Sequence, residues 1–153
     1  MTHEPTENYQ STIIRSACLE DAERISTLCE QLGYSASDED IKHRLHLLQQ
    51  DDSHIIYVAI YNNFVVGWVH AHKYHLIMIS PQVLIVGLVV DTNYRLHGIG
   101  RLLMLQIEDW AIMNNCPKIS LRSNIIRKDA HKFYEKIGYT NTKHSLEFCK
   151  NLT

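Results

Sequence analysis

The stretch from Val83 to Arg101 constrains the fold of this chain more than any other. Val83–Asp91 is dense in valine, isoleucine and leucine, the pattern of a strand buried on both faces. A polar loop, Thr92–His97, follows it. Gly98 then opens a long helix whose apolar face is Ile99, Leu102, Leu103, Ile107, Trp110 and Ala111. A buried strand running through a short loop into an amphipathic helix needs sheet neighbours and further helices to cover it.

The rest of the chain supplies them. Ser11–Ala17 reads as a short strand, and Ala22, Ile25, Leu28 and Leu32 recur at helical spacing up to a stop at Gly33. Ser37 can cap a second helix carrying Ile41, Leu45 and Leu48. From His54 the period becomes strand-like, and Asn62-Asn63 can take the positive φ angles of a tight hairpin turn into Phe64–Tyr74. Lys118–Arg122 reads as a strand after Pro117. Ala130, Phe133, Tyr134 and Ile137 space out a helix stopped by Gly138, and Tyr139–Lys150 is expected to close the sheet. The expected order is β-α-α-β-β-β-α-β-α-β. That is a mixed, mostly antiparallel central sheet with helices on both faces, of the α/β class.

Composition narrows the function. The 153 residues carry 15 Lys and Arg against 17 Asp and Glu, a formal charge of −2, so no basic excess favours nucleic acid. The first ten residues are polar and read as a flexible N-terminus without a secretory signal, ahead of a single domain over 11–153. No apolar run is long enough to span a bilayer, so no membrane partner is expected. Cys18, Cys29, Cys116 and Cys149 are scattered, and no metal site is expected from them or from the ten histidines. They read as reduced thiols of a cytoplasmic protein.

The glycine-opened helix is the feature that carries chemistry. Glycine lets main chain approach an anion closely, and the first N–H groups of a helix are unpaired donors at its positive end. Arg95 and Arg101 flank the loop and can add charge-assisted bonds. These features suit a pyrophosphate, although a helix start that only needs a tight turn would explain the glycines as well. No Gly-Lys-Ser/Thr follows, so an ATP-binding reading has little support.

Arg95-x-x-Gly98-x-Gly100, following Leu88-Val89-Val90, resembles the acetyl-CoA-binding motif of the GNAT acetyltransferases. Ser123-Asn124-x-x-Arg127-x-x-Ala130-His131-x-Phe133-Tyr134-Glu135-x-x-Gly138-Tyr139 resembles the second signature of that family. Gln31-Leu32-Gly33-Tyr34 and Val65-Val66-Gly67-Trp68-Val69 are similar to segments of its small bacterial members, so the resemblance spans about residues 11–150. It implies acetyl transfer from acetyl-CoA, as co-substrate, to a primary amine. The pyrophosphate is then expected on Arg95, Leu96, His97, Gly98, Ile99, Gly100 and Arg101. The pantetheine arm is expected along Leu88 and Val90, in a splay between this strand and Lys118–Arg122. A main-chain N–H near Val89 is expected to polarise the thioester carbonyl, and Asn124 to hydrogen-bond the cofactor.

The resemblance also assigns proton transfers. Tyr134 matches the family's general acid, which protonates the departing thiolate. Many relatives carry a glutamate base on the central strand, and the matching residue here is Leu84, which cannot accept a proton. By alternation Phe64, Val66, Trp68, His70, His72 and Tyr74 share one strand face. His72 is the first candidate for the base, and His70 the second. Other accounts are reaction of the small neutral fraction of the amine, and a non-catalytic acetyl-CoA-binding sensor module. Tyr34, Trp68 and His70 are the expected acceptor-binding residues.

The acceptor is left open among a small metabolite, a polyamine, an aminoglycoside and a protein or peptide amine. No cysteine stands where a nucleophile is needed, which favours direct transfer in a ternary complex. The oligomeric state is also open, the tail Tyr139–Lys150 being the segment through which a homodimer would pair.

Overall fold

The computed structural model describes residues 11–153. The expected flexible segment at residues 1–10 lies outside them. The chain divides into two compact units, the first ending at Arg122 and the second beginning at Ser123.

The first unit is built on a five-stranded sheet in the order β1-β2-β3-β4-β5. Its strands are β1 (Ile13–Ser16), β2 (His54–Tyr61), β3 (Phe64–Tyr74), β4 (Gln82–Val90) and β5 (Ile119–Leu121). The β1/β2, β2/β3 and β3/β4 pairs are antiparallel, and β4/β5 is parallel. A parallel neighbour needs a crossover, which α3 (Ile99–Met113) provides. Asn62 and Asn63, at φ 49° and 59°, make the tight turn between β2 and β3.

Two helices precede β2. The first, α1 (Ala22–Gln31), is followed by Gly33 at φ +88°, and α2 (Asp38–Gln49) is capped by Ser37 Oγ, which accepts the Asp40 N–H at 3.1 Å. Ile25, Leu28 and Leu45 pack with Ile56, Val58, Val65 and Val89 of the sheet in one core, with Trp68 against it. Each such buried aliphatic side chain contributes about 1.5–3 kcal/mol. On the other face α3 buries Ile99, Leu103, Met104, Ile107 and Ala111. Leu102, expected on that apolar face, is exposed, and Met104 takes its place. The longest helix among the described residues is α3, and none is long and apolar enough to cross a membrane.

Two expectations about the strands need correction. On β3 the face read as Phe64, Val66, Trp68, His70, His72 and Tyr74 does not hold throughout. The β2/β3 register pairs Ala59 with Gly67 and Ile60 with Val65, leaving Val66 as a bulge. An extra residue reverses the alternation, so Val65, not Val66, joins the core beside Trp68. Nor is β4 buried on both faces along its length. Gln82, Val83 and Ile85 are buried, but Val86 is exposed and Gly87, Leu88 and Val90 are only partly covered.

The second unit contains α4 (Lys128–Lys136), ended by Gly138 at φ +101°. The strand expected over Tyr139–Lys150 does not form, and residues 139–153 have no regular structure. Leu146 and Phe148 are the large apolar residues of its would-be inner face, and both are exposed. Two such side chains bury too little area to offset the cost of ordering a strand.

Candidate active site

The site begins with a change of neighbours along β4. Only Val83, Leu84 and Ile85 pair with β5, opposite Ile119, Ser120 and Leu121. Beyond them β4 continues to Val90 with β3 alone beside it. The β3/β4 register pairs His70 with Gly87 and Ala71 with Ile85, so Val86 is bulged out between them. The bulge decides which main-chain groups face the open side. Val83 N–H bonds the Lys118 carbonyl at 3.1 Å, on the β5 side, and Asp91 N–H bonds the Val66 carbonyl at 2.8 Å, on the β3 side. Alternation back from Asp91 turns Val89 toward β3, and Leu88 and Val90 toward the open side. Consistent with this, the Val90 carbonyl accepts the Arg95 Nε–H at 3.1 Å.

The open edge runs into the loop before α3. Asp91 caps the short 3-10 turn Thr92–Tyr94 by accepting the Asn93 N–H at 3.1 Å. Arg24 of α1 bonds the Asp91 carboxylate at 2.9 Å and the Val65 carbonyl at 2.9 and 3.0 Å. Burial raises the Asp91 pKa, but the Asn93 N–H, Arg24 and Gln31 outweigh it, and the carboxyl lies below its ordinary value. Gln31 Oε1 also accepts the Thr92 N–H at 3.0 Å. The start of the loop is therefore pinned to α1 by Arg24, Gln31 and Asp91. Arg24 and Asp91 were not singled out from sequence, because a charged pair 67 positions apart leaves no local signal.

The loop then takes two left-handed residues, Leu96 at φ +67° and Gly98 at φ +80°. Gly98 is the N-cap of α3 and supplies no side-chain cap, and a Cβ there would meet nothing within 4 Å. The N–H groups of Ile99, Gly100 and Arg101 therefore form the positive start of a 15-residue helix with no side-chain cap from Gly98. Arg95, Leu96, His97 and Arg101 are all exposed around it.

His70 and His72 do come together, and a third ring joins them. His54 of β2 stands opposite His72 in register and stacks on it, with centroids 4.1 Å apart and planes 8° apart. His54 Nδ1 lies 2.8 Å from His70 Nε2, and its Nε2 faces Asp51 Oδ2 at 3.9 Å. Burial, with the His54 and His72 charges behind it, lowers His70 to about 4. Burial likewise lowers His54, as does the His72 charge, against an upward pull from Asp51. Leu84, the residue in the expected glutamate position, is the β4 partner of His72.

Trp68 lies over Gly87, and a Cβ on Gly87 would stand 2.7 Å from the indole ring. The glycine is thus required by the tryptophan. The Trp68 Nε1 is buried without a hydrogen-bond partner among the described residues. Tyr34, just after the α1 stop, is exposed.

Within the second unit Tyr134 is half-buried on α4, edge-on to Phe133 at 5.2 Å and to Tyr139 at 6.2 Å. Burial pushes its phenol up, partly opposed by Arg127. Asn124 Oδ1 accepts the Ile126 N–H at 3.1 Å, and its carbonyl lies 2.9 Å from His131 Nε2.

Comparison with known proteins agrees with this geometry. A family model described as acetyltransferase (GNAT) family matches residues 19–139. An uncharacterized N-acetyltransferase, YhdJ, of Bacillus subtilis strain 168 is 31% identical over 105 residues, covering 63% of this chain and 69% of the relative. The aminoglycoside antibiotic 6'-N-acetyltransferase AAC(6')-Ih of Acinetobacter baumannii has a similar structure, with TM-score 0.82 and 19% identity over 94% of this chain and 100% of the other. A transcriptional regulator from Bacillus halodurans C-125 matches at TM-score 0.80 and 21% identity over 91% and 99%. A further aminoglycoside N-acetyltransferase, AAC(6')-Iy, was solved with CoA, and matches at TM-score 0.82 and 18% identity over 91% and 94%.

Proposed function

This chain belongs to the acetyltransferase (GNAT) family, and on that premise we propose that it moves an acetyl group from acetyl-CoA directly to a primary amine. The enzyme class is acetyl-CoA-dependent N-acetyltransferase, and acetyl-CoA is its co-substrate. The observation that carries the mechanism is the β4 edge left without a strand partner beyond Ile85, which leads into the positive start of α3.

Each part of acetyl-CoA has a matching group. The N–H groups of Ile99, Gly100 and Arg101 suit the pyrophosphate, because αL Gly98 brings no capping side chain to them and Arg95 and Arg101 lie to either side. Leu88 and Val90 offer main-chain groups on the open side, as an amide-bearing pantetheine arm requires. Arg95 already holds the Val90 carbonyl, which leaves Leu88 and the Val90 N–H for the arm. The thioester carbonyl would be polarised by the N–H of Leu88 or Val90, and not by that of Val89, which alternation turns toward β3. Asn124 is a further contact for the cofactor.

Three proton movements complete the reaction. An alkylammonium must lose a proton before its nitrogen can attack, and His72 or His70 would receive it in place of the missing glutamate. The C–N bond forms and the C–S bond breaks, Tyr134 gives its phenolic proton to the leaving thiolate, and the second proton that the acylated nitrogen sheds restores the phenol through solvent. Its raised pKa keeps the phenol protonated until then. The amine itself is a small metabolite, a polyamine, an aminoglycoside or a peptide amine. Aminoglycoside acetyltransferases among the structural neighbours support the choice of an amine, but at 18–19% identity they share the fold alone. Trp68, His70 and Tyr34 are the proposed acceptor residues.

Thermal shift with acetyl-CoA, CoA and ATP tests the binding step. Ligand at a hundred times its Kd adds about 2.7 kcal/mol, or roughly 5–10 °C at this size. Stabilisation by both CoA forms and not by ATP is expected. Thiol release is then followed with neamine, spermidine and a lysine-bearing peptide. Tyr134→Phe should keep the thermal shift and lose about a hundredfold in turnover. The alternative is a non-catalytic acetyl-CoA sensor, favoured by Leu84 in the glutamate position. Binding without thiol release to any amine would support it.

A further inference from the structure

Leu84 leaves the central strand without a proton acceptor, while the neighbouring strands present imidazoles that the family resemblance did not predict as a group. His70 is opposite Gly87 at the β4 bulge and His72 is opposite Leu84. His70 is therefore beside the stretch of β4 whose outer edge is free, and His72 beside the last residues still paired with β5. His54 touches both rings, stacking on His72 and hydrogen-bonding His70. It also has Asp51 next to its outer nitrogen. Parallel stacking is not how imidazoles share a cation, and among the described residues no group of three histidine, cysteine or carboxylate side chains could hold a metal ion.

We propose that His54, held between His70 and Asp51, is a positioning and relay residue that carries the acceptor amine's proton from His70 out to the surface. This rests on the acetyltransferase reading and assigns its proton exit. The direction follows from the donors and acceptors. Asp51 beside His54 Nε2 favours the proton on that nitrogen, which leaves His54 Nδ1 as acceptor for the Nε2–H of His70. His70 then has Nδ1 as its basic nitrogen. An ammonium proton entering at His70 Nδ1 moves the Nε2 proton across 2.8 Å to His54 Nδ1. The Nε2 proton of His54 leaves toward Asp51 and water. One proton enters and one departs, so both rings return to neutrality, and each ring must turn over before the next cycle, because running the shuttle backwards would return the proton.

The surroundings fit a conduit more than a proton store. His70 is half-buried and neutral at any working pH, its pKa being lowered to about 4 by burial first and then by His54 and His72. A base that cannot keep the proton needs an exit, and His54 supplies one. The groups facing the pair are His72 on β3, itself beside Tyr74, and Asp51 in the segment before β2, while β4 presents Leu84 and Gly87, which do not titrate. Asp51 is exposed, so the path ends in water.

The experiment has two arms. In the first, 15N imidazole spectra of the wild-type protein at neutral pH should show Nε2–H tautomers for both His70 and His54. An Nδ1–H proton on His54 would overturn the pathway with no acceptor needed. In the second, pH profiles of kcat/KM for acetyl transfer to neamine, spermidine or the lysine peptide are compared for wild type, His54→Gln and Asp51→Asn. His54→Gln should lower kcat about tenfold to a hundredfold while the KM for acetyl-CoA stays within about twofold. Asp51→Asn should move the acid limb to lower pH, because the carboxylate that raises His54 is gone. Profiles that superimpose on wild type after scaling would reduce His54 to a packing role. Loss of the acetyl-CoA thermal shift in wild type would instead sink the acetyltransferase reading, and the tautomers would still decide the proton pair.

Discussion

Gln82–Ile85 and Val86–Val90 are consecutive stretches of one strand, built largely from the same aliphatic residues, but their surroundings differ. The first is flanked by β3 and β5 and is mostly buried, and the second has β3 on one side only. A three-residue β5 ends the closed half at Ile85, and a one-residue bulge at Val86 resets the alternation for the open half. The same bulge brings His70 opposite Gly87 on the neighbouring strand. Closure holds the sheet together. Opening leaves main-chain groups free to pair with something other than protein, beside a helix start that favours an anion.

The largest effect expected at this boundary is the response of His70 to acid. Well above pH 6.5 the ring is neutral in both folded and unfolded chains, and its contribution to stability is complete. As pH falls, the unfolded chain takes a proton that the folded ring refuses down to about 4, so stability is lost between those values. The loss amounts to about 3 kcal/mol at the lower end. Urea unfolding from pH 7 to 4.5 checks it, and His70→Gln should flatten the slope.

Gly67→Ala attacks the open half from β3. Its Cβ would stand 2.9 Å from the Val89 carbonyl oxygen and 3.3 Å from the Leu103 side chain, and main chain cannot yield as a side chain can. A loss of about 2–3 kcal/mol, or roughly 4–12 °C in Tm, is expected with weaker acetyl-CoA binding. An unchanged Tm would show that β4 shifts freely there. Arg24→Ala removes the brace and strands a buried Asp91 carboxylate. The cost should be about 2 kcal/mol, below that of a fully buried pair because Arg24 is partly exposed. Loosening of the loop should also raise the acetyl-CoA Kd, measured by calorimetry.

The smallest effect has the opposite sign. Leu96 is a branched residue at φ +67° with its side chain in solvent, so it gains little from packing to offset the strain. Leu96→Gly should stabilise by about 0.5–1 kcal/mol, the relief of a left-handed residue less the added freedom of glycine in the unfolded chain. A destabilised Leu96→Gly would mean that the leucine makes a contact that outweighs its conformation.

Much of the site could be read from local sequence. A strand, a turn and a glycine-opened helix are short-range features, so the loop from Arg95 to Arg101 and the N-cap at Gly98 appear at their expected places. The Asn62-Asn63 turn also fixed which strands pair. Yet counting back from that turn without a bulge sets His54 opposite Ala71, on the other face. The bulge at Val66 sets it opposite His72 instead. One extra residue, invisible to alternation, decided whether three imidazoles meet.

The tail shows the reverse error, where Tyr139–Lys150 alternates well enough to suggest a strand but carries too little apolar surface to form one. Sequence alone therefore determined the family, the order of elements through α4 and the glycine-opened start of α3, because each depends on residues close in the chain. Tertiary structure alone decided where β5 stops, which β4 groups stay free, that Arg24 braces the loop start and that His54 meets His70 and His72. Those depend on register and on contacts between distant residues, and a one-residue slip in pairing turns every later side chain to the opposite face.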